Sequence, residues 1–429
     1  MQIDTDNNLV MVEGAPQAMS HIVLMVCFYM FLYIERPWET ISYLQGFQIE
    51  RWYAVLMLII AFLSRKLIIT RSPTNKWVYG LLLIHFMLAP FAFSSEFAVD
   101  QGIEYGKMVV LYLLLLAIAD REAILKVLLR AYLLSTIIYS LHSLKEYFNG
   151  RHQIRMSISR MVGADWADPN AFGATLILSL PIAYVFVRFE KNKWICLLYY
   201  VYFFVIVQCV ILTGSRSSFV ALVLIFLIWS LLQKGGRKFV ILAATLVSMA
   251  VVWNVMPEEK QTRIRSLWDE DAGPANAHES AEGRKDGFRV SWRMFKREPW
   301  TGVGGGGQNF IGYRLANKID EDGKESATQA HIVYGQVLAE FGIGGAFLFI
   351  GLIVSIIRCC LVAKRYLIPD TFLYSLGGAM LMCLFLLLFT GLGGHNFYRP
   401  FWLWLAAWSG SLLTLATQHR HDQPHKPLC

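Results

Sequence analysis

Twelve apolar runs constrain this chain more than any other feature: 20–34, 52–70, 77–95, 107–119, 122–144, 171–188, 194–213, 217–233, 238–256, 342–361, 371–391 and 395–417. A helix needs roughly 20 apolar residues to cross the hydrocarbon core of a bilayer. Most of the runs approach that length. The first and fourth fall short, and the second carries Arg65 and Lys66 and is expected to end near Leu63. The chain is 56% hydrophobic and 16% charged, where soluble domains average about 45–50% and about 25%. The expected fold class is all-α: a polytopic integral membrane protein of about 12 transmembrane helices.

The loops between the runs alternate in charge. One set carries Arg71 and Lys76, Arg121 and Arg130, Lys191 and Lys193, Lys234 and Arg237, Lys364 and Arg365, then Arg420 and Lys426. The short opposite loop 96–107 sets Glu96, Asp100 and Glu104 against Lys107. Lys and Arg collect in cytoplasmic loops, so both termini are expected in the cytoplasm. The same rule accounts for the formal charge of +8 without a nucleic-acid partner. Segments 145–170, 213–217, 257–341 and 391–396 then fall on the far side. The expected organisation is helices 1–9 within 1–256, a long extracytoplasmic segment 257–341, helices 10–12 within 342–417 and a cytoplasmic tail 418–429. Asp4, Asp6 and Glu13 open the chain where a cleavable signal peptide begins basic, so none is expected. None of the seven cysteines falls in a long polar segment, which suggests neither a disulfide framework nor a zinc spacing.

Several far-side residues are candidates for chemistry. Arg216, in ILTGSRSSFVAL, sits in a tight hairpin where topology gives no reason for a cation. An arginine at the hydrocarbon centre costs about 2.5–3.5 kcal/mol on insertion scales, so it is expected at the interface or facing a polar cavity. Snorkelling to lipid headgroups is the structural alternative. In GRKDGFRVSWRMFKREPW, Phe288, Trp292 and Phe295 share one helical face, and Lys285, Arg289, Arg293 and Lys296 share another. Such a basic amphipathic helix is expected along the membrane surface. By spacing, Arg284 joins the aromatic stripe and is expected to point inward, where a permanently charged guanidinium needs an anionic partner. The alternative is a frayed first turn without function.

The G-x-G-x-x-G match at Gly302, Gly304 and Gly307 has no strand before it, so these glycines read as a turn and not as a dinucleotide site. The acidic run WDEDAG and the pair Asp165 and Asp168 read as solvated acids, and no metal site is expected. His331 stands where the polar segment 257–341 meets the next apolar run. His142, His152, His278 and His395 are the other far-side imidazoles able to titrate near neutrality. Glu340 lies about half a turn out of phase with His331 and is not expected to orient its ring. Gly342, Gly344 and Gly345 predict a break before the next span, leaving 329–341 as a short helix that presents His331 over the bilayer.

In order, ADWADPNAFGATLILSLP, LTGSRSS, EGR, REPWTGVGGG and AH followed by AEFGIGG resemble the O-antigen ligase and O-antigen polymerase family of bacterial envelope glycosyltransferases. The likeness runs through most of the second half of the chain; order and placement carry it, since no single motif is specific. It implies a GT-C-like membrane fold, with the ligase favoured. Such an enzyme transfers a glycan from undecaprenyl pyrophosphate to a hydroxyl of lipid A–core, on the periplasmic face of the bacterial inner membrane. The resemblance implies that His331 is the catalytic base and that Arg216 and Arg284 contact the donor's phosphates. Arg289, Arg293, Asp168 and Asn170 are assigned to substrate binding. No metal or other cofactor is implied. The implied partners are the undecaprenyl-pyrophosphate-linked glycan donor, the lipid A–core acceptor and the bilayer, with no nucleic acid. Many members read His-Asn at the histidine; this chain has His331-Ile332, and a separate His395-Asn396 pair in another far-side loop.

Two alternatives share the resemblance: a polymerase that uses a second prenyl-linked glycan as acceptor, and a protein O-oligosaccharyltransferase. A reading of another class is a lipid-linked glycan transporter or flippase. Twelve spans suit a transporter, but no internal repeat is visible and the candidate residues lie outside the span centres.

Overall fold

The computed structural model describes residues 20–64, 70–155, 158–164, 167–233, 235–266, 269, 276–320 and 327–422. Among these, all twelve apolar runs form helix. The first half contains α1 (His21–Glu35), α2 (Ile49–Leu63), α3 (Asn75–Leu88), α4 (Ser95–Ile118), α5 (Glu122–Phe148), α6 (Pro169–Ile177), α7 (Leu180–Phe189) and α8 (Lys193–Thr213). The second contains α9 (Arg216–Leu231), α10 (Arg237–Val255), α11 (Glu258–Arg265), α12 (Asn276–Arg297), α13 (Gly307–Ala316), α14 (Val333–Tyr366), α15 (Phe372–Gly391) and α16 (Phe401–Asp422). Among the described residues six stretches are long and apolar enough to cross a membrane: α4, α5, the continuous pair α6–α7, α8, α14 and α15. The protein is thus a nearly all-α, multi-pass membrane protein. About twelve spans were expected; among the described residues, six stretches have the length and composition of a span.

Local sequence explains where the helices begin. Asp168 caps α6, its carboxylate accepting the N–H groups of Asn170 and Ala171, and Pro169 fills the first turn, where no N–H partner is required. Ser94, Asn192, Ser215 and Thr371 cap α4, α8, α9 and α15 in the same way. Gly214 ends α8 in the left-handed conformation that suits glycine.

Three expectations are corrected. The loop foreseen at 96–107 is instead the first part of α4: the Ser94 cap starts the helix early, and Lys107 pairs with Glu104 one turn before it at 2.5 Å. The described residues also contain one antiparallel strand pair, β1 (Gln153–Arg155) with β2 (Ile158–Arg160), in register Gln153 to Arg160. Finally, α14 starts at Val333 and not near 329, which leaves His331 in the turn before the helix. The foreseen glycine break is real. Gly342 has φ 60° and ψ −154°, so the two halves of α14 meet at a kink.

Helix α14 lies at the centre of the bundle, packed against α3, α12, α15 and α16, while α1 packs along α5. Aromatic contacts among Tyr132, Phe401, Trp404 and Trp408 join α5 to α16. Elsewhere large apolar side chains face outward, as with Leu198, Val201 and Phe204 on α8. An apolar surface of this kind suits contact with lipid.

Candidate active site

His331 sits in a backbone conformation that L-residues other than glycine, asparagine and aspartate seldom adopt, with φ 51°. Contacts on both sides impose it. On one side, Ala330 abuts α12 so closely that a Cβ on Gly287 would lie 2.2 Å from the Ala330 carbonyl oxygen. On the other, Val333 abuts the end of α15, where a Cβ on Gly391 would lie 2.6 Å from Cγ1 of Val333. Upstream, buried Arg314 donates to the Asp320 carboxylate and to the carbonyl and hydroxyl of Thr328, which fixes the approach to the histidine. The His331 ring then meets His395, with centroids 5.5 Å apart and planes at 56°.

His395 belongs to the turn joining α15 to α16. Asn396 Nδ2 donates to the Leu387 carbonyl at 3.0 Å, Trp402 Nε1 donates to the Asn396 carbonyl at 3.0 Å, and the Phe397 N–H donates to Gln336 Oε1 at 3.4 Å. Below the turn, Phe397 and Tyr398 join a ring cluster with His85, Tyr105 and Phe341. Although His395 reaches the surface at the rim, surrounding protein and the charges of His331 and Arg399 push its pKa down to about 4, against the opposing field of Asp168.

The two arginines converge on the same region. The Arg284 guanidinium lies over Gly393, where a Cβ would come within 3.4 Å of its carbon. Arg284 does point inward, but not through the foreseen aromatic stripe. Phe288 and Trp292 are exposed, whereas Gly287, Ser291 and Met294 are buried, so the inward face runs 284, 287, 291, 294. Those spacings of three and four are the true helical phase; the stripe that begins at Phe288 faces outward. Arg216 opens α9 and is 6% exposed, with Nη1 donating to Ser266 Oγ at 3.1 Å. It is held inside and does not snorkel. Burial lowers the pKa of both guanidiniums, and the field of Arg284 lowers that of Arg216 further. The two guanidiniums thus feel one another's field, and Arg284 also lies over the turn that carries His395.

The remaining candidates divide. Asp168 is the α6 cap and its charge is felt at His395, while Asn170 accepts a hydrogen bond from Arg160 at 3.1 Å. Arg289 is exposed and pairs with Asp286 at 3.1 Å; Arg293 donates to the Ile319 carbonyl at 2.8 Å. His142 pairs with Glu35, and His152 packs on Tyr147. Asp165, the WDEDAG run apart from Asp269, the His278 side chain, the first nineteen residues, Arg65, Lys66, Lys234 and the tail from 423 lie outside the described residues.

The glycine-rich turn has a purpose that sequence reasoning missed: it wraps a buried carboxylate. Glu340 is 1% exposed and accepts from the Gly306 N–H at 3.0 Å, from Gln336 Nε2 at 3.1 Å and from the Tyr398 hydroxyl. The Val303 and Gly304 N–H groups donate to the Ala339 and Glu340 carbonyls, and the Ile343 N–H to the Pro299 carbonyl, across the Gly342 kink. At Gly302 a Cβ would come within 2.4 Å of the Glu340 backbone, so only glycine fits. This knot ties the turn 302–307 to α14 and to Tyr398, two residues from the Asn396 anchor. A carboxylate beside a phenylalanine-glycine break and a glycine-rich turn was the available signal.

A multi-pass helical membrane protein that gathers two guanidiniums and two imidazoles at one end of its bundle is suited to bind an anionic group and move a proton beside it. Residues 201–350, from α8 to the middle of α14, match the family model described as O-antigen ligase. The match covers about a third of the chain and includes Arg216, Arg284 and His331. It supports the resemblance carried by the motifs: this segment is similar to the O-antigen ligase family, whose members are glycosyltransferase-like membrane enzymes. A comparison with curated proteins gave no match.

Proposed function

We propose that the chain is an O-antigen ligase, an inverting and metal-independent glycosyltransferase. It transfers a glycan from undecaprenyl pyrophosphate to a hydroxyl of lipid A–core at the periplasmic face of the bacterial inner membrane. A sugar hydroxyl is a poor nucleophile. His331 takes its proton as the oxygen bonds to the anomeric carbon, a contribution of roughly 10²–10⁴-fold for a well-placed base. The bond from that carbon to the pyrophosphate oxygen breaks, and the prenyl pyrophosphate leaves with the electron pair. Arg216 and Arg284 hold the diphosphate, where charge grows as the bond breaks; each preorganised donor of this type stabilises a transition state by about 3–4 kcal/mol. Asp168, Asn170, Arg289 and Arg293 contribute to substrate binding in this reading.

The observation that supports this reading is the pairing of like charges: the field of Arg284 reaches Arg216 inside the protein, while Arg284 also packs on the turn that carries His395 against His331. In this reading the diphosphate lies against the two guanidiniums, and His331 serves the glycosyl bond beside it. The test is the lipopolysaccharide banding pattern of a strain lacking the gene. Loss of all long bands with the core retained supports ligation. Survival of single-unit bands contradicts it in favour of polymerisation, as does a purified enzyme that extends a second prenyl-linked glycan and ignores lipid A–core.

A further inference from the structure

We propose that Arg160 and Lys260 position Arg216 by clamping the C-terminal carbonyls of α8. The last carbonyls of a helix lack intrahelical partners and carry the negative end of its dipole. Lys260, on α11, donates Nζ to the Leu212 carbonyl at 2.8 Å, and Arg160, at the end of β2, donates Nε to the Thr213 carbonyl at 3.0 Å. The Met161 N–H adds a further bond to the Leu212 carbonyl at 3.0 Å. From this fixed end the chain turns in two residues. Gly214 takes the left-handed conformation, and the Ser215 N–H donates to Thr213 Oγ1 at 3.1 Å. Ser215 caps α9, so Arg216 emerges in a direction set by the α8 terminus. Its guanidinium then reaches Ser266, which ends the helix that carries Lys260.

Arg160 is 0% exposed and Lys260 is 3% exposed, so neither is open to a substrate. They are positioning residues. Arg160 also donates to Asn170, which ties α6 to the same turn. Lys260 is faced by Glu259 on its own helix, Arg160 from β2, the Tyr147 ring of α5 at 5.4 Å and the Leu212 carbonyl of α8. Burial, with Arg160 adding to it and Glu259 opposing, pushes the ammonium down to about 8. The Lys260 arm of the clamp therefore loses charge as pH rises from 7 to 9, while Arg160 keeps its own.

The inference rests on the reading of Arg216 as a diphosphate ligand, so two measurements are needed. The first is the affinity of the full-length protein in nanodiscs for farnesyl pyrophosphate, from pH 7 to 9. As Lys260 discharges and its charge-assisted bond to the Leu212 carbonyl weakens, the wild type is expected to bind about tenfold more weakly. Lys260→Arg, whose charge persists, shows no such fall across the range. Lys260→Met is already weak at pH 7. The second is hydrogen exchange over 211–218, corrected for the intrinsic effect of pH, which needs no substrate. At pH 9 the wild type and Lys260→Met open this turn more than Lys260→Arg does. Equal exchange in wild type and Lys260→Arg at pH 9 overturns the clamp. If Arg216→Ala binds farnesyl pyrophosphate as tightly as wild type, the diphosphate role fails instead, and exchange alone decides the clamp.

Discussion

The ring of His331 lies 5.5 Å from that of His395, centroid to centroid, and His331 reaches this contact from a backbone with φ 51°. Strain of this kind costs about 1–3 kcal/mol and persists where surrounding structure over-determines it. Here close approaches of Gly287 to Ala330 and of Gly391 to Val333 flank the residue on both sides.

The strain and the chemistry of His331 are separable by substitution. His331→Ala and His331→Gly both remove the imidazole, and glycan transfer is expected to fall by roughly 10²–10⁴-fold in each. Glycine accepts the left-handed conformation without the clash that alanine meets, so His331→Gly is expected to be more stable by about 1–2 kcal/mol. Thermal unfolding in detergent checks this. Equal stability of the two variants contradicts an imposed conformation.

His395 gives a pH dependence of known sign. Its pKa is lowered from the ordinary 6.5 to about 4 in the folded protein. As pH falls through that window the unfolded chain takes up a proton that the folded chain refuses, so stability present above the ordinary value is lost progressively toward the folded one. Unfolding midpoints at pH 7 and pH 4.5 are expected to differ less in His395→Gln than in wild type. The effect is tempered by the position of the ring at the rim. An unchanged difference contradicts the prediction.

Two glycines give opposite diagnostics. At Gly287 a methyl group meets the Ala330 carbonyl head-on, so Gly287→Ala is expected to push α12 away from the His331 turn. Overpacking of this kind costs typically 1–3 kcal/mol. At Gly342 the added Cβ would lie 2.4 Å from the Pro299 carbonyl oxygen, and the backbone itself, at φ 60° and ψ −154°, excludes other residues. Gly342→Ala is expected to reduce the yield of folded protein, whereas Gly287→Ala is expected to fold and lose activity. Expression and transfer assays on the pair check this.

Glu340 is a structural test of the same end of the bundle. Glu340→Ala strips the acceptor from the Gln336 amide and the Tyr398 hydroxyl, and leaves the Gly306 N–H with the Tyr398 oxygen alone, at 2.9 Å. Each buried group left unpaired costs about 1–3 kcal/mol. Tyr398→Phe, which removes a hydroxyl and leaves the ring stack, is expected to cost less. A larger loss of thermal stability for Tyr398→Phe than for Glu340→Ala contradicts this role for the carboxylate.

Much of the frame was legible in the sequence because membrane insertion writes itself into hydropathy: each apolar run became a helix, and Gly342 broke α14 where the glycines said it would. Asp168 was legible less directly, since Asp-Pro-Asn is a helix start before it is anything else. The phase of α12 was misread because its aromatic residues face outward. In a membrane protein an apolar stripe marks lipid as readily as core, and the buried face is carried by Gly287 and Ser291. Arg160 and Lys260 were invisible for another reason. Their partners are backbone carbonyls of α8, far along the chain, and a backbone acceptor leaves no mark on the sequence.

The central claim is that Arg216, Arg284 and His331 act together on a lipid pyrophosphate. Its most direct measurement is glycan transfer by purified protein, from undecaprenyl-pyrophosphate-linked glycan to lipid A–core, with Arg216→Ala, Arg284→Ala and His331→Ala compared at matched folding. The account predicts a loss of about 10²-fold or more in each variant. Near-wild-type turnover in all three contradicts it.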